Sequence, residues 1–193
     1  MTNYHVFRSS GESAGEKTGF RYCPQCGSKM IKTGSGDTGR QRCLICGFVR
    51  YINPCPGVVT LIKDMQGKIL IGKRNADVDF PGKWCLPGGY IENNESFIEC
   101  ARREIMEETG LVVELEGIVN VVSNFLDDDH HTLVIVLTGK SLSEESRAGD
   151  DMTDLIWITG NDLDDIEFAF EADLRIIKAH FKGNMKIIPI DQA

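Results

Sequence analysis

The sequence predicts an α/β domain preceded by a small cysteine ribbon. One observation is a helical repeat within residues 89–111, with Ile98, Ala101 and Ile105 on one side and Glu104, Glu107 and Glu108 on the other; residues three and four apart share a helix face. A second is the set of strand-sized apolar runs around that helix, at 58–63, 68–73, 111–125, 132–138 and 154–158. The third is a pair of Cys-x-x-Cys motifs, Cys23/Cys26 and Cys43/Cys46, ahead of the first run. A length of 193 residues suits one typical domain with a small appendage.

Composition sets the class. Hydrophobic residues make up 41% and charged residues 26% of the chain, as in an ordinary globular protein. No apolar run approaches a membrane span, and the first residues lack the apolar core of a signal peptide. The expected location is therefore cytoplasmic, where thiols stay reduced. The net charge of −8 is unevenly placed: residues 1–55 hold eight Lys/Arg against three Asp/Glu, and the remainder thirteen against twenty-six. An acidic half repels phosphate esters unless metal ions screen it, whereas the basic segment can assist with phosphates, pair with the acidic half or touch nucleic acid.

In chain order, residues 1–20 are Ser/Gly/Glu/Lys-rich and aperiodic, and read as a mobile tail. The ribbon follows at 21–55. Each Cys-x-x-Cys is followed by glycine (Gly27, Gly47), which lets a tight turn aim amides at the thiolates. Cys23, Cys26, Cys43 and Cys46 at this spacing predict a tetrahedral structural Zn2+ site, with no open position for catalysis. Strands are expected at 28–33 and 40–42, joined by a hairpin tip at 33–39. Cys55, Cys85 and Cys100 are read as packing residues.

Residues 51–57 form a hinge into the main domain, at 56–193. The runs at 58–63 and 68–73 flank a hairpin turn at 64–67. Arg74 can pair with phosphate or stand as an exposed strand-end charge. Trp84 can stack on a base, although packing beneath the following loop is favoured. Gly88 and Gly89 let the backbone approach closely and leave amides for phosphate. Arg74, Trp84, Gly88 and Gly89 are thus the candidate substrate contacts.

Next comes the helix. Asn93 or Asn94 is expected to cap its start and Gly110 its end, with Glu99 and Arg103 spaced as an ion pair. Three like charges at Glu104, Glu107 and Glu108 repel, and the arrangement makes sense if Mg2+ or Mn2+ neutralises them; a solvated acidic face is the plainer alternative. Beyond it, Asp127, Asp128, Asp129, His130 and His131 form a polar connection, read as a hairpin loop before a metal site. Residues 143–151 form another polar loop. A turn of helix is expected at 161–165 and an amphipathic helix at 171–181, with Leu174, Ile177, Ala179 and Phe181 facing inward.

Gly89, Glu95, Arg103, Glu104, Ile105, Glu107, Glu108, Gly110 and Leu111 together match the Nudix box without departure. The chain therefore resembles the Nudix hydrolases from about Gly57 to its last helix. The ribbon and the segment Tyr51, Asn53, Pro54 before the first strand are similar to the zinc-ribbon subgroup. The resemblance implies an α/β/α sandwich with a mixed sheet, and hydrolysis of a nucleoside diphosphate linked to a group X. It implies that Glu104, Glu107 and Glu108 ligate Mg2+ or Mn2+, with the Gly89 backbone near the metal, Glu92 a second-tier ligand, and Arg103 with Glu95 bracing the loop. The general base stays open between Glu108, Asp150 and Asp151.

The NADH-cleaving members carry a Ser-Gln-Pro-Trp-Pro-Phe-like array after the box, which residues 112–125 lack. The tail, with Gly149, Asp150 and Asp151 before Trp157 and then Phe168 to Phe170, looks like that of members acting on ADP-ribose or related dinucleotides. A nucleotide substrate is the expected partner, and the resemblance implies a homodimer. Triphosphate or NADH hydrolysis, and a non-enzymatic nucleotide sensor or nucleic-acid binder, are the alternatives. Against the last, the ribbon lacks a run of interleaved aromatics.

Overall fold

The computed structural model describes residues 6–8, 19–33, 40–126, 131–143 and 145–191. The main domain is built on a mixed eight-stranded sheet. Its strands are β1 (Val6–Arg8), β5 (Cys55–Lys63), β6 (Ile69–Arg74), β7 (Trp84–Cys85), β8 (Val113–Phe125), β9 (His131–Ser141), β10 (Met152–Ile158) and β11 (Ile188–Pro189). The spatial order is β1-β8-β9-β5-β6-β10, with β7 on β6 and β11 on β8. β5 runs parallel to β9, whereas β8–β9 and β6–β10 are antiparallel. A separate three-stranded sheet carries β2 (Met30–Thr33), β3 (Arg40–Cys43) and β4 (Val49–Arg50).

Alternation along the central strands explains the layers. Successive strand residues point to opposite faces. Leu61, Ile69 and Ile71 therefore pack towards α2 (Glu171–Phe181), with Ala172, Ile176 and Ile177. Ile62 and Leu70 pack towards α1 (Phe97–Thr109), with Cys100, Ala101 and Ile105. The result is the expected sandwich of a mixed sheet between helices. No helix among the described residues is long and apolar enough to cross a membrane.

Several expectations need correction. The cap of α1 is Ser96, not Asn93 or Asn94: Ser96 Oγ accepts from the Glu99 amide at 3.3 Å, while Glu99 Oε2 accepts from the Ser96 amide at 2.7 Å. This capping box satisfies two helix-end donors reciprocally. It also occupies Glu99, so the expected Glu99–Arg103 pair is replaced by contacts from Arg103 to Glu95, Glu104 and Glu107. Gly110 caps the other end, left-handed at φ 66°, as expected. In α2 the buried face is Ala172, Asp173, Ile176 and Ile177; Leu174, Ala179 and Phe181 are only half-buried.

β5 begins at Cys55, inside the expected hinge, because Cys55 to Lys63 pair continuously with Thr132 to Lys140. Residues 6–8, expected within a tail, pair in parallel with Ser123 to Phe125. The short strand β7, for which no strand was expected, pairs with β6. The turn of helix is a 3-10 segment at Leu163–Asp165. Residues 34–39 of the ribbon hairpin tip and residues 127–130 of the Asp/His connection lie outside the described residues, whereas Thr33 ends β2.

Candidate active site

The site grows from the junction of α1 with the loop after β7. Gly88 has φ 153°, and a Cβ there would stand 2.1 Å from the Val58 carbonyl oxygen, so only glycine fits against β5. That close approach delivers the Gly88 amide to Glu108, whose Oε2 accepts its hydrogen bond at 2.7 Å. The amide expected to face phosphate is thus already engaged. A Cβ on Gly89 would lie 2.3 Å from Glu104 Oε1, so the helix carboxylates press directly on this loop.

Glu104 and Glu108 are buried, at 8% and 2% exposure, whereas Glu107 is exposed at the rim. Burial pushes the Glu108 carboxyl well above its ordinary range, and the neighbouring charge of Asp151 adds to it. Burial also raises Glu104, opposed by Arg103. The three carboxylates do not converge on one point. Arg103 Nη1 lies 2.8 Å from Glu104 Oε1 and 3.0 Å from Glu107 Oε2, taking the place of a counter-ion.

The other edge of Arg103 is held by Glu95. Its Nε and Nη2 donate to Glu95 Oε2 at 3.0 Å and Oε1 at 2.6 Å, a bidentate fork, and Nη2 also reaches the Tyr90 carbonyl at 3.2 Å. These bonds hold the Glu95 carboxyl down at about 2. Glu92 donates its amide to Glu95 Oε1 at 3.0 Å. Its own carboxylate is not brought to Glu104 or Glu108 by any of these bonds.

Asp150 and Asp151 reach the site through the backbone. Arg147 and Gly149 amides donate to the carbonyls of Thr109 and Glu108, at 2.8 and 3.1 Å. The loop is thereby stapled to the end of α1, whose last carbonyls need partners. Asp150, left-handed at φ 49°, turns the chain, and Asp151 lands beside Glu108. Asp151 Oδ2 is 3.8 Å from Arg74 Nη1, and its Oδ1 is buried with no donor facing it.

Arg74 is not an exposed strand-end charge. Its side chain is 13% exposed, donates to the Asp79 carbonyl at 2.6 Å and lies over the Phe170 ring at 5.5 Å. With Gly88, Gly89, Asp151 and Asp173 it forms the polar side of a cavity of about 210 Å³, whose apolar side includes Val122, Val136 and Phe170. Trp84 is not brought to this cavity; it packs half-buried on the α2 side of the core. Asp173 went unread in the sequence. It accepts the Leu86 amide at 2.9 Å, and its signal was a carboxylate inside an apolar helix stripe.

The donor set fits a hard divalent cation. Every side-chain ligand at hand is a carboxylate oxygen, and the buried, undonated Asp151 Oδ1 beside raised Glu108 is an anionic surplus that such an ion neutralises.

In the ribbon, Cys23, Cys26, Cys43 and Cys46 bring sulfurs within 4.8 Å of one another. The Cys23–Cys46 and Cys26–Cys43 sulfurs are 3.5 Å apart. That is far beyond a disulfide bond of about 2.05 Å and close to the edge of about 3.8 Å in a tetrahedron with Zn–S of about 2.3 Å. Hydrogen bonds from Ser28 lower the Cys26 thiol, whereas Cys46 is pushed up against the lowering Phe48 amide by burial and its cysteine neighbours, as expected of thiols crowded together.

Comparison with known proteins gives matches over the domain that carries this site. The model of the NUDIX domain matches residues 53–180. An ADP-ribose pyrophosphatase of Methanocaldococcus jannaschii is 33% identical over 133 residues, covering 68% of this chain and 76% of that protein. An NAD-capped RNA hydrolase NudC of Haemophilus influenzae is 26% identical over 94 residues, 49% of this chain but only 35% of that protein. The crystal structure of a NUDIX hydrolase from Nitrosomonas europaea superposes with a TM-score of 0.73 at 27% identity, covering 84% of this chain and 91% of that one.

Proposed function

Because this chain belongs to the NUDIX domain family and is a pyrophosphohydrolase, we propose that it cleaves the pyrophosphate of a nucleoside diphosphate linked to X, with ADP-ribose or a related dinucleotide as substrate. The observation that carries the reaction is the buried pair Glu104 and Glu108, set against Gly88 and Gly89 at the wall of a cavity that also holds Arg74. The choice of ADP-ribose is supported by the archaeal relative named for that activity, aligned over two thirds of this chain.

Enzymes of this family generally use Mg2+ or Mn2+, and Glu104, Glu107 and Glu108 would hold such ions here, with Asp151 beside them. When bound, the ions screen the phosphate charge and lower the pKa of a water. The chain's own residues do the rest. Arg74 presents a guanidinium to the phosphate from inside the cavity. The apolar wall of Val122, Val136 and Phe170 takes one end of the dinucleotide, a single base or sugar at about 210 Å³. Arg103 and Glu95 hold the loop and the carboxylates in register. Buried Glu108 and half-buried Asp151 are the candidates to take the proton of the attacking water, and Asp150 turns the loop that carries Asp151. The four ribbon cysteines hold structural Zn2+.

The test is nucleotide release from a panel of ADP-ribose, NADH, FAD, diadenosine polyphosphates and nucleoside triphosphates with Mg2+ or Mn2+, beside Glu107→Gln. AMP from ADP-ribose, lost in the variant, supports the reading. Preference for NADH or a triphosphate replaces the substrate and keeps the reaction.

A further inference from the structure

The ribbon's three-stranded sheet has two faces, and strand register assigns residues to each. Met30 pairs with Cys43, and both are buried on the sulfur side. Alternation then puts Ile31, paired with Arg42, and Thr33, paired with Arg40, on the other side. Val49, also paired with Arg42, shares it. Tyr51 joins them, since the Arg40 guanidinium lies over its ring at 4.8 Å from the centroid. Arg40 and Arg42 are exposed, Tyr51 is 58% exposed, and no described element covers this face.

Its chemistry is one-sided. Among the described ribbon residues, 19–33 and 40–54, there are six Lys/Arg and no Asp/Glu. Two further arginine–aromatic pairs flank the sheet: Arg50 over Phe20 at 4.4 Å and Arg21 over Tyr22 at 5.6 Å. Phe20 is held by Gln41 of the central strand, which exchanges two hydrogen bonds with its backbone at 2.7 and 3.0 Å; Gln41 pairs with Arg50, so by the same alternation this pair belongs to the sulfur side and widens the basic, aromatic surface around the sheet. These aromatics are scattered in sequence, which is why no interleaved run is visible there; folding gathers them among the arginines.

We propose that this open sheet face binds single-stranded RNA. A flat sheet surface carrying an exposed tyrosine and arginine guanidiniums offers bases a stacking platform and phosphates a cationic track. Unpaired bases, which such a platform requires, are the ordinary state of single-stranded RNA, whereas DNA keeps most bases paired. The catalytic half is acidic, whereas every charged side chain of the described ribbon residues is basic, two of them (Arg40 and Arg42) on this face, so charge complementarity to a polyanion lies on the ribbon. The inference goes beyond the hydrolytic reading and does not rest on it.

The experiment titrates the full chain, zinc-loaded, into a 3′-fluorescein 15-mer of uridine with a 5′ hydroxyl, which offers no pyrophosphate to cleave, and follows anisotropy across salt concentrations. The variants are Tyr51→Ala and the double change Arg40→Glu with Arg42→Glu, each checked for zinc content and ADP-ribose turnover. Tyr51→Ala is expected to weaken binding about 5- to 100-fold. The double variant is expected to abolish it, and neutral Gln at both positions to lower the log–log salt slope by about 1.4. The proposal is overturned by absent binding, by binding that survives all these changes, or by tighter binding of the matching thymidine DNA. It is also overturned if sedimentation shows the variants dissociating a dimer, which would make a second copy the occupant. Failure of ADP-ribose turnover in wild-type protein would sink the hydrolytic reading alone.

Discussion

Glu108 accepts the Gly88 amide at 2.7 Å across the seam between α1 and the loop after β7. One carboxylate thereby fixes the loop, and it does so buried beside Asp151. Burying a charge without a matched partner is costly, so this seam is a place where stability has been given up for function.

Glu108→Gln keeps the shape and leaves an oxygen for the Gly88 amide, but removes the charge. Turnover is expected to fall at least about 100-fold, the scale for losing a positioned proton acceptor. In Mg2+-free buffer the variant is expected to melt higher than wild type, by roughly 2–4 °C for each kcal/mol of relieved desolvation. A variant that loses activity and also melts lower would show that Glu108 is a net stabilising contact.

Asp173 gives a pH signature. Burial raises its carboxyl from the ordinary 3.8 to about 7, against the lowering influence of the Leu86 amide and Arg74. A folded-state value above the unfolded one means that the folded chain binds the extra proton between these limits. This contribution is complete below about pH 4 and is lost as pH rises to about 7, on the order of 4 kcal/mol in all. Asp173→Asn, which can still accept from Leu86, should remove that slope. Denaturant titrations of both proteins from pH 5 to 8 check it: parallel curves would mean that Asp173 is ionised throughout.

The site was legible to the extent that it is local. Glu104, Glu107 and Glu108 share a helix face by spacing alone, and Gly110 ends that helix as its backbone freedom requires. The Ser96/Glu99 capping box was equally local, a Ser-x-x-Glu at the helix start overshadowed by two asparagines. What spacing cannot carry is contact between distant segments. The staple from Arg147 and Gly149 to the end of α1, which brings Asp151 to Glu108, joins a loop and a helix about forty residues apart. Arg74 read equally as a phosphate partner or a strand-end charge because its cover, Phe170 and Asp151, comes from the far end of the chain. The layers were readable for the same local reason as the helix, since Ile62 and Leu70 alternate with Leu61, Ile69 and Ile71.

Arg103→Lys tests the brace. The guanidinium contacts Glu95, Glu104 and Glu107 at once, and a lysine ammonium cannot span that fork. We expect kcat to drop about 10- to 100-fold with little change in KM, because the carboxylates lose orientation while the substrate cavity stays intact. The lysine keeps the charge but loses the bidentate fork to Glu95, so a small drop in melting temperature is expected. Near-normal kcat in the lysine variant would reduce Arg103 to a surface charge.

The ribbon should depend on metal. Its own core is Cys23, Met30 and Cys43 with Phe48 packed against them, and two of these three buried residues are cysteines of the sulfur cluster. So few buried side chains, at about 1.5–3 kcal/mol each, cannot offset the ordering of the ribbon backbone at about 1–2 kcal/mol per residue. Structural zinc supplies folding free energy of about 10–16 kcal/mol in small cysteine sites. Wild-type protein is expected to carry one zinc per chain by plasma emission, and Cys43→Ser to lose it. Amide exchange should then rise at Met30–Thr33 and Arg40–Cys43 while Phe97–Thr109, buried on the main sheet, stays protected. Protection that persists through the ribbon in the metal-free variant would mean that contacts other than the four thiolates hold it.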